Sequence, residues 1–283
     1  DQPSITYPEE FVGGGFMSHW TEKFFVKKPE LWKHFMDRGW KRSGITIRAI
    51  LKVLKKHGVT KGRFLELGCG NGRICIPIAA RGFQVTGVDI GASYIKDAEK
   101  RARRRRVKAR FVCGDTRRLG QLVRGKYDVV LSVWTSIGYY GKSVDERLFK
   151  TVARLLKRNG LFLIFNTMSQ EYLLNNYCNS MFNETDKYLV LHKDNKFDRY
   201  YSVNAEKWVF YEKQGRDLRY VDELELRIRT YSLAEIVEMA EAAGLGFVEA
   251  YDNLRLLTPA RSDSVINMVL RKNQVSSRRR KGE

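Results

Sequence analysis

The stretch Phe64-Leu65-Glu66-Leu67-Gly68-Cys69-Gly70-Asn71-Gly72 constrains this chain more than any other. An apolar run with strand character leads directly into three glycines spaced two apart. Glycine lets the backbone turn sharply and lets a ligand approach the main chain. The next helical pattern, Arg73 to Arg81, points its amide-rich N-terminus at the same place, where it can hold an anionic or nucleotide-like group. A nicotinamide fingerprint, Gly-x-Gly-x-x-Gly, would put its third glycine at position 73, and the chain has Arg73 there. On its own the turn reads either as a ligand cradle or as a structural bend.

Beyond the turn the chain alternates regularly. Strands are expected at Arg63–Leu67, Gln84–Val88, Ala109–Cys113, Tyr127–Val133 and Leu161–Phe165. Helices are expected between them, over Ser93 to about Arg105 and about Val144 to Leu156, the latter opened by a Ser143-x-x-Glu146 capping box. An earlier helix carries Ile47, Ile50, Leu51 and Leu54, with Ser43 able to cap it and Gly58 just past its end. Short apolar strands alternating with helices imply a parallel sheet covered on both faces. Such sheets bind ligands at the carboxyl ends of their strands. The pattern breaks between about Asn183 and Thr230, where Lys207–Tyr211 and Leu218–Ile228 flank Gly215 and read as an antiparallel β insertion. A helix opened by Ser232-x-x-Glu235 and ended by Gly244 then leads to two last strands, Phe247–Tyr251 and Val265–Leu270.

Two acids give the glycine turn its weight. Asp89 ends the second strand, where a carboxylate can accept two hydrogen bonds from a ribose diol. Asp115 ends the third in Cys113-Gly114-Asp115-Thr116, where it can accept from an adenine amino group. Either alone also reads as a loop or N-cap aspartate. With Glu66 they place acids at three neighbouring strand ends.

These residues resemble the class I methyltransferases that use S-adenosylmethionine. Glu66 to Gly72 match that family's glycine motif, Asp89 its ribose acid and Gly114-Asp115 its adenine-side motif. Tyr127-Asp128-Val129-Val130 is similar to its fourth-strand motif. The turn before Leu161 is similar to its fifth, with Asn159-Gly160 where the family usually has Pro-Gly. The resemblance covers roughly Arg63 to Asn166, and again Tyr231 to Arg271. It implies a Rossmann-like, doubly wound α/β fold with a seven-stranded, mostly parallel sheet whose last strand is antiparallel. It implies S-adenosylmethionine as cofactor, no metal, and a cofactor site at Glu66, Gly68, Cys69, Gly70, Asn71, Gly72, Asp89, Ile90, Gly114, Asp115, Thr116, Val133 and Trp134. Ser132-Val133-Trp134-Thr135 stands where the amino-base methyltransferases carry Asn-Pro-Pro-Tyr, which argues against that branch. Ser136-Ile137-Gly138-Tyr139-Tyr140 and the insertion resemble the branch acting on small molecules such as amino sugars and glycine derivatives.

Methyl transfer from a sulfonium is a direct displacement, so a base is needed only if the acceptor must lose a proton. Tyr139, Tyr140 and His192 are the candidate catalytic residues. Trp134, Ser136 and the Tyr200-Tyr201 pair are further candidates. The expected organisation is an aromatic lid segment over 1–42, a core of 43–182 and 231–272, an inserted β lid over 183–230 and a basic, disordered tail over 273–283. Phe16 and Trp20 are lid candidates over the cofactor.

Charge points the other way. The net charge is +20, with Arg101–Arg110 reading RARRRRVKAR and Arg278–Lys281 reading RRRK. These runs can attract phosphates, so RNA or protein methylation is the alternative to a small-molecule acceptor. They read equally as a solvated helix face and a tail. Cys69, Cys75, Cys113 and Cys178 form no Cys-x-x-Cys pair and the histidines form no zinc spacing with them. With no apolar run of about 18 residues, the expectation is a cytoplasmic protein outside the membrane.

Overall fold

The computed structural model describes residues 19–134 and 136–273. Phe16, Thr135 and the basic run Arg278–Lys281 lie outside the described residues.

The chain opens with a short helix α1 (Trp20–Glu22), a π-helical turn over Lys23–Lys27, then α2 (Pro29–Arg42) and α3 (Gly44–Lys56). The parallel strands are β1 (Arg63–Leu67), β2 (Gln84–Asp89), β3 (Arg110–Cys113), β4 (Tyr127–Val133) and β5 (Leu156–Thr167). Between them lie α4 (Cys75–Ala79), α5 (Ala92–Arg104), α6 (Leu119–Leu122) and α7 (Lys142–Leu155). After α8 (Gln170–Asn175) the insertion forms β6 (Met181–Glu184), β7 (Tyr188–Asp198), β8 (Val203–Gln214) and β9 (Asp217–Arg229). The chain returns through α9 (Leu233–Ala242), β10 (Leu245–Asn253), β11 (Thr258–Pro259) and β12 (Ile266–Lys272).

The main sheet has the order β11-β10-β12-β5-β4-β1-β2-β3, and the insertion is a separate antiparallel sheet β6-β7-β8-β9. Strand β12 runs antiparallel between β5 and β10. The sheet has eight strands rather than the expected seven, because the two-residue β11 folds back on the end of β10. Strand order reverses at β1, which pairs with β4 on one side and β2 on the other. This opens a crevice at their carboxyl ends.

Alternate residues of one strand serve two cores, as the pleat requires. Val130, Phe162 and Ile164 pack under α7 and α9. Val129, Leu131, Leu161 and Leu163 pack under α3 and α4. A third core holds Phe24 and Leu31 of the N-terminal segment against Val190, Phe210 and Leu224 of the inserted sheet. From residue 20 to residue 42 this segment is largely helical, and it packs against the insertion.

Helix ends obey local chemistry. The Ser232/Glu235 capping box forms with both hydrogen bonds in place. The Ser143/Glu146 box does not. Helix α7 starts earlier, with Gly141 at its N-cap and at φ 89°. Ser43 stands at the N-cap of α3, yet its hydroxyl donates back to the Trp40 carbonyl and leaves the new helix uncapped by a side chain. The turn before the apolar part of β5 places Asn159 at φ 61°, a left-handed geometry that asparagine tolerates.

Candidate active site

The site grows from the end of β1. Gly68, Gly70 and Gly72 all take left-handed backbone, at φ 65°, 51° and 78°. A Cβ at Gly68 would lie 2.5 Å from the Ser136 hydroxyl, and one at Gly70 would lie 2.6 Å from Met36 Sδ. The glycines leave the turn bare because a left-handed backbone disfavours a side chain at all three. It forms the floor of a cavity that Gly68, Cys69, Gly70 and Asn71 line.

Asp89 and Ile90 line the same cavity from the end of β2. Each Asp89 carboxylate oxygen accepts one backbone N–H, from Gly70 and from Gly91, both at 2.8 Å. Each oxygen keeps a further lone pair. Burial raises the Asp89 pKa, while these two N–H groups oppose the shift. Asp115 and Thr116 line the cavity from the end of β3. Asp115 caps the short 3₁₀ turn through Arg117 N at 2.8 Å and pairs with Arg117 Nε at 2.7 Å. Arg117 lies 4.1 Å over the Tyr140 ring.

Val133 and Trp134 complete the wall at the end of β4. Trp134 has φ 70°, strained for a bulky residue. It is held there by its N–H on the Phe165 carbonyl at 2.9 Å and its own carbonyl accepting from Thr167 Oγ1 at 2.7 Å. The Arg73 guanidinium stacks 4.4 Å from its ring. Arg73, which displaces the dinucleotide glycine, thus lines the cavity as well.

Three residues expected at the cofactor do not line the cavity. Gly72 packs on Ile76 and Ala98. Gly114 packs on Leu122 and donates its N–H to the Asp89 carbonyl at 2.8 Å. Glu66 lies buried beneath the turn, where it accepts the Cys75 thiol proton at 2.9 Å. Burial raises its pKa to about 7, against the pull of the Cys75 contact and Arg73. These residues build the turn from behind.

Of the candidate catalytic residues, Tyr139 and Tyr140 line the cavity, as do Trp134 and Ser136. His192 does not. It lies in β7 of the inserted sheet, 3.3 Å from Glu206 Oε2 and 3.1 Å from Asn183, with its ring 4.2 Å from Trp208. The register puts Trp208 directly opposite it on β8. His192 belongs to the inserted sheet and does not line the cavity. Tyr200 and Tyr201 sit in the exposed β7–β8 turn, away from the cavity.

The N-terminal segment was expected near the cofactor, but the residues of it that reach the cavity were not among those the sequence singled out. Thr21, Phe25, Trp32 and Met36 line the cavity from the N-terminal segment. Trp32 contacts Trp134 on one side and Trp208 on the other. Trp20, the other lid candidate, packs edge-on against Tyr139 at 4.8 Å and donates its indole N–H to the Arg227 carbonyl. Lys28 pairs with Asp222. The density of aromatics in the first forty residues was the available signal, without a motif to place it.

Residues 64–160 match the family described as methyltransferase domain. The Bacillus subtilis protein YqeM is 31% identical over 128 residues, 45% of this chain. The chain spans about half (51%) of the length of that relative. Among solved structures, an S-adenosylmethionine-dependent methyltransferase of Clostridium acetobutylicum superposes with a TM-score of 0.71 at 19% identity, covering 88% of this chain and 98% of the other. The sugar N-methyltransferase KedS8 of Streptoalloteichus superposes with a TM-score of 0.66 at 14% identity, covering 93% and 98%. These two superpositions extend beyond the domain's matched segment and show the fold shared.

Proposed function

We propose that this chain transfers a methyl group from S-adenosylmethionine to a nitrogen or oxygen atom of a small polar acceptor by direct displacement. One observation carries the reading. The bare glycine turn, Asp89, Asp115 and the Tyr139-Tyr140 pair line a single cavity beneath the N-terminal helices and the inserted sheet. The donor set suits the cofactor: the free lone pairs of Asp89 fit a ribose diol. Asn71 Oδ1 is buried without a partner and can accept from the donor's ammonium. When bound, S-adenosylmethionine supplies an already activated methyl group. What the chain adds is alignment and exclusion of water. Gly68 to Asn71, Asp89, Ile90, Asp115, Thr116, Val133 and Trp134 would hold the donor. Glu66, Gly72 and Gly114 would act from behind the turn. Tyr139 and Tyr140 would face the acceptor.

In this reading residues 1–42 and 183–230 form two lids over a core of 43–182 and 231–272. The superposition on a sugar N-methyltransferase includes the inserted sheet and supports a compact, hydroxyl- or amine-bearing acceptor. The RNA or protein reading rests on charge, and the position of that charge disfavours it. Arg103 to Arg110 run from the last turn of α5 to the start of β3, the opposite end of the sheet from the cavity. Arg101 is engaged by Asp37 and Asp97, and both Arg101 and Arg105 lie 4.8 Å over Trp40. The free cysteines support a reducing, cytoplasmic setting. Among the described residues no helix is long and apolar enough to cross a membrane. Methyl-labelled donor offered with an amino hexose and with total RNA separates the acceptor classes. Label is expected in the sugar, and label confined to RNA would overturn the reading.

A further inference from the structure

We infer that Tyr140, Thr21 and His19 form a proton relay that carries the acceptor's proton out of the cavity. The inference rests on the methyltransferase reading above. Tyr140 and Thr21 both line the cavity. The Tyr140 hydroxyl lies 2.8 Å from Thr21 Oγ1, and Thr21 Oγ1 lies 2.8 Å from His19 Nδ1. Nothing in the glycine motif or its acids assigns a role to these three residues.

Donor counting sets the direction of the relay. The Thr21 backbone N–H also points at His19 Nδ1, at 3.3 Å. An N–H can only donate, so Nδ1 is the accepting nitrogen. The single hydroxyl proton of Thr21 then goes to His19, which leaves Thr21 Oγ1 to accept from Tyr140. Tyr140, having given its proton away from the cavity, keeps lone pairs able to accept an O–H or N–H from a molecule inside it.

The charges around His19 suit a terminal acceptor. Burial and Arg117 lower its pKa below the ordinary 6.5, while the Tyr139 backbone, Glu22 and Asp115 pull it upward. The lowered pKa favours the neutral ring before transfer, and the carboxylates of Glu22 and Asp115 offset part of the cost of charging it. Arg117 is itself paired with Asp115. The Tyr140 ring stacks between that guanidinium, at 4.1 Å, and the His19 ring, at 4.5 Å.

The step balances. As the acceptor atom bonds the methyl carbon, its N–H or O–H bond breaks toward Tyr140 Oη. The Tyr140 proton passes to Thr21 Oγ1, and the Thr21 proton passes to His19 Nδ1. Tyr140 and Thr21 end neutral and His19 ends as imidazolium, so the single positive charge brought by the donor remains in the site. His19 and Thr21 belong to the N-terminal lid, whereas Tyr140 lies beyond the end of β4. The relay is thus complete only when the lid covers the cavity.

Nitrogen-15 NMR of the full chain labelled at histidine, titrated from pH 4.5 to 8.5 with S-adenosylhomocysteine, tests this. The wild type is expected to show His19 with Nδ1 unprotonated and hydrogen-bonded, titrating below pH 6.5. Thr21→Val removes the hydroxyl but keeps the backbone N–H at Nδ1, so it should shift the Nδ1 resonance and move the titration, and Thr21→Ser should restore both. A protonated Nδ1 in the neutral ring, or a Thr21→Val spectrum identical to the wild type, would overturn the relay. The readout needs no acceptor, so it decides the relay even where the acceptor class is wrong. Binding of S-adenosylhomocysteine in the same samples reports separately on the methyltransferase reading.

Discussion

Two buried carboxylates, Glu66 and Asp145, set the pH response expected of the fold at the residue scale. Glu66 sits under the glycine turn, and Asp145 accepts from Gly138 N at 2.9 Å and from the Tyr231 hydroxyl at 2.7 Å. Burial raises both to about 7. A carboxyl raised in the folded state binds its proton more tightly there than in the unfolded chain. Its contribution is therefore complete below about pH 4 and lost as pH rises through 7. For each group the loss is on the order of 2–4 kcal/mol. Glu66→Gln and Asp145→Asn keep the acceptor oxygen and remove the charge. Each variant should gain stability over the wild type between pH 5 and pH 8, read from urea midpoints. A pH-independent difference would contradict the assignment. Gly138 offers a sharper residue test. It has φ 97°, and a Cβ there would lie 2.1 Å from the Arg229 backbone oxygen. Gly138→Ala should cost roughly 2–4 kcal/mol, because backbone cannot yield as a side chain can. At Gly70 the added methyl would meet only the flexible end of Met36, so Gly70→Ala should unfold later in urea than Gly138→Ala.

At the scale of elements, the N-terminal helices pack against the inserted sheet in one shared core. Phe24, 2% exposed, is the pin: its ring contacts Trp32 in the lid and Trp208 and Phe210 in the sheet. Phe24→Ala should cost roughly 3–5 kcal/mol locally. Limited proteolysis within residues 19–42 should accelerate while the β1–β5 core resists, and equal protection would contradict the shared packing. This packing was also the least legible part of the sequence. The parallel strands were readable because Tyr127–Val133 and Leu161–Phe165 are apolar on both faces, as burial between two layers demands. Asp89 and Asp115 were readable because the end of a strand fixes where an acid points. Thr21, Trp32 and Met36 reach the cavity through tertiary packing that no local spacing encodes. His192 shows the converse: a titratable residue in the right segment, turned by its strand register toward Trp208 and Glu206. The Ser143 capping box failed because Gly141, at a φ closed to most residues, started the helix earlier.

For the whole molecule, the arginine run after α5 and the cavity lie at opposite ends of the main sheet. The cavity opens at the carboxyl ends of the parallel strands, and Arg103 to Arg110 lie at their amino ends. Replacing Arg103, Arg104 and Arg106 by Glu should weaken non-specific RNA binding and flatten its salt dependence. Methyl transfer to a small acceptor should stay within about twofold, since charges this far apart are largely screened at physiological salt. A parallel loss of transfer would contradict the separation. On the proposed function, the turn from Gly68 to Asn71, together with Asp89, holds S-adenosylmethionine. Calorimetric titration of S-adenosylhomocysteine into the wild type and Asp89→Ala tests it most directly. The account predicts one site per chain in the wild type and a loss of at least tenfold in Asp89→Ala, about 1.4 kcal/mol or more. No binding to the wild type, or equal affinity in both proteins, would contradict it.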